Sequence, residues 1–154
     1  IRAFAQMDNK KGVTLKIIGE GPEKLRLKSL VGELGAEDHI FFADAMNHNA
    51  FLSELRDSYC AVVPSIFEPG SFFMLECLKL GIPVIFTKAS GLYDAYANKL
   101  LFVDPYSVPD IKEKIKWVLD ANNYSNDAKR LADRNTQRCW DDVAREHKVI
   151  FEKL

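Results

Sequence analysis

Short β-rich runs alternate with longer amphipathic ones through the first two thirds of this chain, and that alternation constrains the fold more than any other feature. Val13-Thr14-Leu15-Lys16-Ile17-Ile18 is β-branched, alternates, and stops at Gly19, which reads as a strand. His39-Ile40-Phe41-Phe42-Ala43, Tyr59-Cys60-Ala61-Val62-Val63, Pro83-Val84-Ile85-Phe86 and Leu100-Leu101-Phe102-Val103 read as four more. The run at Tyr59–Val63 is apolar throughout, as in strands covered on both faces. Between the strands, Leu27, Leu30, Val31 and Leu34 recur at helical spacing before Gly35, with Pro22 suited to the first turn. Asn47 to Arg56 predicts a helix capped by Asn47 or Asn49, with Phe51, Leu52 and Leu55 facing inward. Phe72 to Leu80 predicts a nearly all-apolar, buried helix closed by Gly81. Only helical stripes follow: Ile111, Ile115, Val118 and Leu119, then a polar surface stretch from Asn126 to Arg138, then Val143, His147, Ile150, Phe151 and Leu154.

Strand–helix–strand repetition implies parallel strands joined by right-handed crossovers. The expected fold class is therefore α/β: a doubly wound parallel sheet of about five strands, flanked by helices, with further helices at the C-terminal end. At 154 residues the chain makes one domain, 1–154, and no repeat or linker interrupts it. An apolar fraction of 47% against 28% charged fits a globular chain. The formal charge of −1 argues against a dedicated binder of nucleic acid or anionic membrane, which carries a basic excess. No apolar run approaches the roughly 20 residues of a membrane span. Ile1–Ala5 lacks the apolar stretch of a signal peptide, and the absence of an initiator Met suggests a piece of something longer. Cys60, Cys77 and Cys139 are scattered and form no cluster with His39, His48 and His147. The expectation is inert thiols in a reducing cytoplasm and no metal site.

In doubly wound sheets, ligands bind beyond the carboxyl ends of the strands. That rule points to the loops Gly19–Pro22, Ala43–Asn47 and Pro64–Ser71. The third is the most informative: Pro64-Ser65-Ile66-Phe67-Glu68-Pro69-Gly70-Ser71-Phe72-Phe73-Met74-Leu75-Glu76. A strand runs into a loop carrying a carboxylate, and a helix opens at Gly70 or Ser71. The unpaired N–H groups and positive dipole end of that helix suit phosphate, and Gly70 permits close approach of the backbone. Glu76 is the only acid in the run from Phe72 to Leu78. It either accepts hydrogen bonds from a diol such as a ribose or is satisfied by a basic partner inside the protein. Glu68, taken alone, is a solvated loop acid or a contact to whatever extends beyond the phosphates. The Gly19-Glu20-Gly21-Pro22 turn needs no ligand to explain it. It is not a dinucleotide fingerprint, because Lys24 stands where the third glycine belongs.

Taken together, these residues resemble the C-terminal, donor-binding domain of a GT-B glycosyltransferase of the family 4, or group 1, type. Pro64-Ser65, Glu68 and Glu76 match a strand end followed by two glutamates eight positions apart, and Gly81-Ile82-Pro83-Val84-Ile85 follows as in that family. Ile17-Ile18-Gly19-Glu20-Gly21-Pro22, Phe102-Val103-Asp104-Pro105-Tyr106 with Asp110-Ile111, and Trp140 with Val143 and Ala144 resemble its other segments. The resemblance covers essentially the whole chain. It implies the Rossmann-like half of a GT-B fold, and transfer of a sugar from a UDP- or GDP-sugar with retention of anomeric configuration. It implies that Glu68 contacts the donor sugar as the catalytic glutamate. The amides around Gly70, Ser71, Phe72 and Phe73 would hold sugar and diphosphate, and Glu76 the ribose. Gly19, Glu20, Gly21, Pro22, Asp44 and Ala45 would lie near the base. It implies no metal or other cofactor.

Three departures stand out: Ser71 for the family's second glycine, Tyr93-Asp94 for its Pro-Glu, and Asp44 for a frequent glycine. The family's diphosphate-neutralising Arg and Lys would lie before Ile1, as would an N-terminal acceptor domain. The chain is thus expected to be an N-terminally truncated half of a two-domain enzyme. As given, it would bind donor weakly and transfer nothing. Location is expected to be cytoplasmic, with membrane association only through the missing half. A non-catalytic α/β binding or regulatory domain, and a nucleotide-sugar epimerase or phosphorylase of the same architecture, stand as alternatives.

Overall fold

The computed structural model describes residues 1–8, 10, 12–96, 100–132 and 140–152. The expected alternation is present. Helix α1 (Arg2–Ala5) precedes β1 (Leu15–Ile18), α2 (Lys24–Glu33), β2 (Ile40–Ala43), α3 (His48–Arg56) and β3 (Ala61–Val63). Then come α4 (Phe72–Lys79), β4 (Val84–Thr87), α5 (Tyr93–Tyr96) and β5 (Leu101–Val103). Helices α6 (Val108–Leu119), α7 (Ala121–Ala132) and α8 (Trp140–Phe151) complete the order. Local chemistry sets several of these boundaries. Asn47 caps α3 by accepting from the Ala50 N–H at 3.0 Å. Ser107 caps α6 through the Asp110 N–H at 3.2 Å, with Pro109 in the first turn.

All the strand pairs are parallel. The hydrogen bonds divide the strands into two sheets, β1-β2 and β3-β4-β5, with no ladder between β1 and β3. Packing joins them instead. Leu15 and Ile17 of β1 and Ile40 and Phe42 of β2 share one apolar cluster with Val62, Ile85 and Val103, over which Phe4, Met7, Ile115 and Val118 lie. The pleat explains how β4 serves both sides of the domain. Val84 and Phe86 point into a second cluster with Met74, Cys77, Val63 and Phe102, while Ile85 points into the first. All four residues of β4 are buried. Period-two alternation fixes which face a strand buries, not which neighbour pairs with it, so the division into two sheets was not legible in the sequence.

The helices correct several expectations. Pro22 lies in the turn before α2, which starts at Lys24 without a side-chain cap. In the α2 stripe only Val31 is buried, and Leu34 is exposed. Helix α4 is not buried all round: Met74 and Cys77 are fully enclosed, whereas Phe72 is 78% and Leu75 44% exposed. An eight-residue helix lying on one sheet face can bury only one stripe, whatever its composition. In α8, Ile150 and Phe151 of the final stripe are exposed. The side chains of Val143 and Trp140, and Leu154 with Cys139, lie outside the described residues, as does much of the 126–138 stretch. Burial pushes the Cys60 thiol up to about 11 and the Cys77 thiol up to about 12, so both are protonated and poor nucleophiles at neutral pH.

Candidate functional site

The loops after β1, β2 and β3 meet at the carboxyl ends of the strands. Gly19, with φ 139°, takes a conformation that side chains rarely adopt, and its N–H donates to the Ala43 carbonyl at 3.1 Å. This bond carries the β1-β2 pairing one residue past β1. Beyond it an ion cluster ties the two loops. Lys24 Nζ binds Glu20 Oε1 at 2.8 Å and Asp44 Oδ1 at 2.5 Å. Lys24 holds the Asp44 carboxyl below its ordinary range, with the Glu20 side chain contributing next. Lys24 is raised in turn, first by Asp44 and then by Glu20. A lowered carboxyl adds stability above its ordinary pKa and loses it as pH falls through the lowered value, while a raised lysine keeps its contribution until pH climbs past its ordinary range. The cluster is therefore intact at neutral pH.

The third loop rests on the turn that follows β4. The Glu68 N–H donates to the Ala89 carbonyl at 2.9 Å, and Glu68 pairs with Ser90 as a parallel bridge. Gly91 approaches closely enough that a Cβ there would stand 3.3 Å from the Pro69 carbonyl oxygen. The Glu68 backbone is thus held by the protein, while its carboxylate makes no hydrogen bond or ion pair with any described residue. Gly70 has open space where a Cβ would project, so no neighbouring protein atom requires glycine there.

Ser71, not Gly70, caps α4. It is 8% exposed, and its hydroxyl accepts from the Met74 N–H at 3.2 Å. The capping requirement accounts for serine at this position. Substitution Ser71→Ala should lower stability by about 1 kcal/mol, and Ser71→Gly by only a few tenths, as read by thermal unfolding. The Phe72 and Phe73 amides lie in the first turn, have no intrahelical acceptor, and find no other among the described residues. Phe73 itself packs against Phe51 of α3, with ring centroids 5.5 Å apart.

Glu76 lies one turn further along α4, its side chain 28% exposed, and His48 Nε2 is 3.4 Å from Glu76 Oε1. His48 opens α3, so this contact joins α3 to α4 as Lys24 joins the first two loops. Sequence reasoning singled out neither Lys24 nor His48 as a site residue. The structure otherwise places every candidate on this edge: Gly19, Glu20, Gly21 and Pro22 in the first loop, Asp44 and Ala45 in the second, and Glu68, Gly70, Ser71, Phe72, Phe73 and Glu76 in the third loop and α4. Among the described residues, no three His, Cys, Asp or Glu side chains come together as a metal-ligand set. No described helix is long and apolar enough to cross a membrane.

The architecture is the Rossmann-like α/β fold of GT-B proteins. Sucrose-phosphate synthase from Thermosynechococcus elongatus superposes with a TM-score of 0.76 at 22% identity, over 98% of this chain and 40% of that one. HepE of Anabaena, solved in complex with UDP, superposes at 0.74 and 20% identity, over 98% of this chain and 42% of that one. The chain belongs to the family of glycosyl transferases group 1, whose sequence profile matches residues 1–138. An uncharacterized glycosyltransferase of Methanocaldococcus jannaschii is 25% identical, over all of this chain and 42% of its own length. The chain thus spans less than half of that relative.

Proposed function

We propose that this domain binds the donor, a UDP- or GDP-sugar, for a glycosyltransferase that transfers a hexose with retention. The observation that carries the reading is the start of α4. Its Phe72 and Phe73 amides, without an acceptor among the described residues, lie between Glu68, a loop acid likewise without a partner among them, and a half-buried acid one turn in, Glu76. Those amides and the positive helix end suit a diphosphate without a cationic side chain. In this reading Glu76 accepts from the ribose hydroxyls, and Glu68 serves the donor sugar. The Gly19–Pro22 turn with Asp44 and Ala45 forms the nucleoside end. The family membership and the UDP bound to HepE support this assignment.

In this reading the nucleotide sugar is substrate, and no resident cofactor or metal is assigned. The 42% coverage of the M. jannaschii relative supports a donor half that works with an acceptor-binding domain, and the domain alone transfers nothing. A cytoplasmic location goes with the same reading, and any membrane association lies with the acceptor half. The Glu76–His48 contact favours one competing reading, a non-catalytic α/β domain in which Glu76 is a structural partner. Calorimetric titration of the chain with UDP- and GDP-sugars separates the two. Saturable binding of at least one donor by millimolar concentration is expected, and no heat from any of them would overturn the assignment.

A further inference from the structure

Lys24 is costly where it stands. It is the first residue of α2, at the positive end of the helix dipole, and α2 has neither an acid in its first turn nor a side-chain cap. It also occupies the place where a dinucleotide-binding turn has a small residue packed against the strand. Its side chain is nevertheless the most shielded of its cluster, 19% exposed against 55% for Glu20 and 85% for Asp44. Its ammonium is shared between a carboxylate of its own turn and one from the loop after β2. Besides the backbone bond from Gly19 to Ala43 and the direct Glu20–Asp44 contact, this bridge ties the two loops among the described residues. Without the ammonium, the Glu20 and Asp44 carboxylates would face one another as like charges and drive the loops apart.

We propose that Lys24 is a positioning residue that locks the loops after β1 and β2 into one rim and thereby sets the affinity for the nucleoside end of the donor, a role that rests on the donor-binding reading above. The lysine acts through Glu20 and Asp44, not by touching the ligand. Two ion pairs this exposed contribute modestly one by one, and their combined effect comes from fixing two loops before the ligand arrives.

The test uses the chain and its Lys24→Met and Lys24→Arg variants, each titrated with UDP and with GDP, together with amide spectra of the ligand-free proteins. For whichever nucleotide the unmodified chain binds, Lys24→Met should weaken binding by roughly 3- to 10-fold, and Lys24→Arg should stay within about 2-fold. In the free chain the Gly21 and Ala45 amide resonances should move in Lys24→Met and return in Lys24→Arg. Unchanged nucleotide affinity in Lys24→Met sinks the clamp while leaving donor binding intact. Equal losses in both variants, with the free-chain resonances unmoved, would make Lys24 a direct ligand contact and overturn the positioning role. If the unmodified chain binds neither nucleotide, the donor-binding reading falls and takes this role with it.

Discussion

Replacing Glu76 by glutamine should weaken nucleotide-sugar binding by about 1–3 kcal/mol, roughly 5- to 150-fold, and leave the melting temperature nearly unchanged. The affinity loss follows from the kind of hydrogen bond removed. A carboxylate accepting from two ribose hydroxyls makes charge-assisted bonds, and an amide oxygen makes weaker ones while its NH2 faces a donor. The small effect on stability follows from the structure. Glu76 is 28% exposed, and its one described partner, His48, is 64% exposed and 3.4 Å away. Contacts that exposed contribute little to folding. The converse pattern, lost stability with unchanged affinity, would make Glu76 a structural partner of His48 and favour the non-catalytic reading. Isothermal titration and thermal unfolding of the same two proteins distinguish the outcomes.

Phe86→Ala should cost about 3–5 kcal/mol of stability, the largest effect expected of any single substitution considered. Phe86 is wholly buried on β4, whose two neighbours place Val63 and Phe102 beside it, and its ring meets that of Phe102 at 6.1 Å. Truncation leaves a cavity that β4 cannot close, because the strand is hydrogen-bonded on both sides. The melting temperature should fall by about 10 °C or more. Phe72→Ala is the internal comparison: the same chemical change at a ring 78% exposed should stay within about 0.5 kcal/mol. A Phe86→Ala protein that melts with the parent would contradict the assignment of β4 as the centre of the core.

Much of this fold was legible because its signals are local. The five strands were marked by short apolar, β-rich runs between helical stripes, and each was found within one or two residues of its expected limits. The Asn47 cap and the Ile111, Ile115, Val118 stripe follow from the same short-range chemistry. Helices α1 and α5, with four residues each, are too short to show a helical period, and sequence reasoning missed them. The exposure of Phe72 and Leu75 was missed for the opposite reason. Phe72-Phe73-Met74-Leu75 is apolar on every side, so composition could not say which stripe faces water.

The candidate site divides along the same line. Glu68, Ser71 and Glu76 stand out from their position around one helix start, which is a property of adjacent sequence. Lys24 and His48 owe their places to contacts between separate loops, Lys24 with Asp44 and His48 with Glu76. Side chains that meet only through the fold leave no spacing to read. Lys24 did register in the sequence, but only as a missing glycine.

In the proposed function, the start of α4 receives the diphosphate of a nucleotide sugar. The most direct measurement follows the backbone amide resonances of the chain while UDP, and separately GDP, is added. The expected result is that the Ser71, Phe72 and Phe73 amides move most, with smaller movements at Gly21 and Ala45, and that both sets titrate with one affinity. Binding that leaves the Ser71–Phe73 amides in place and moves resonances elsewhere would contradict it.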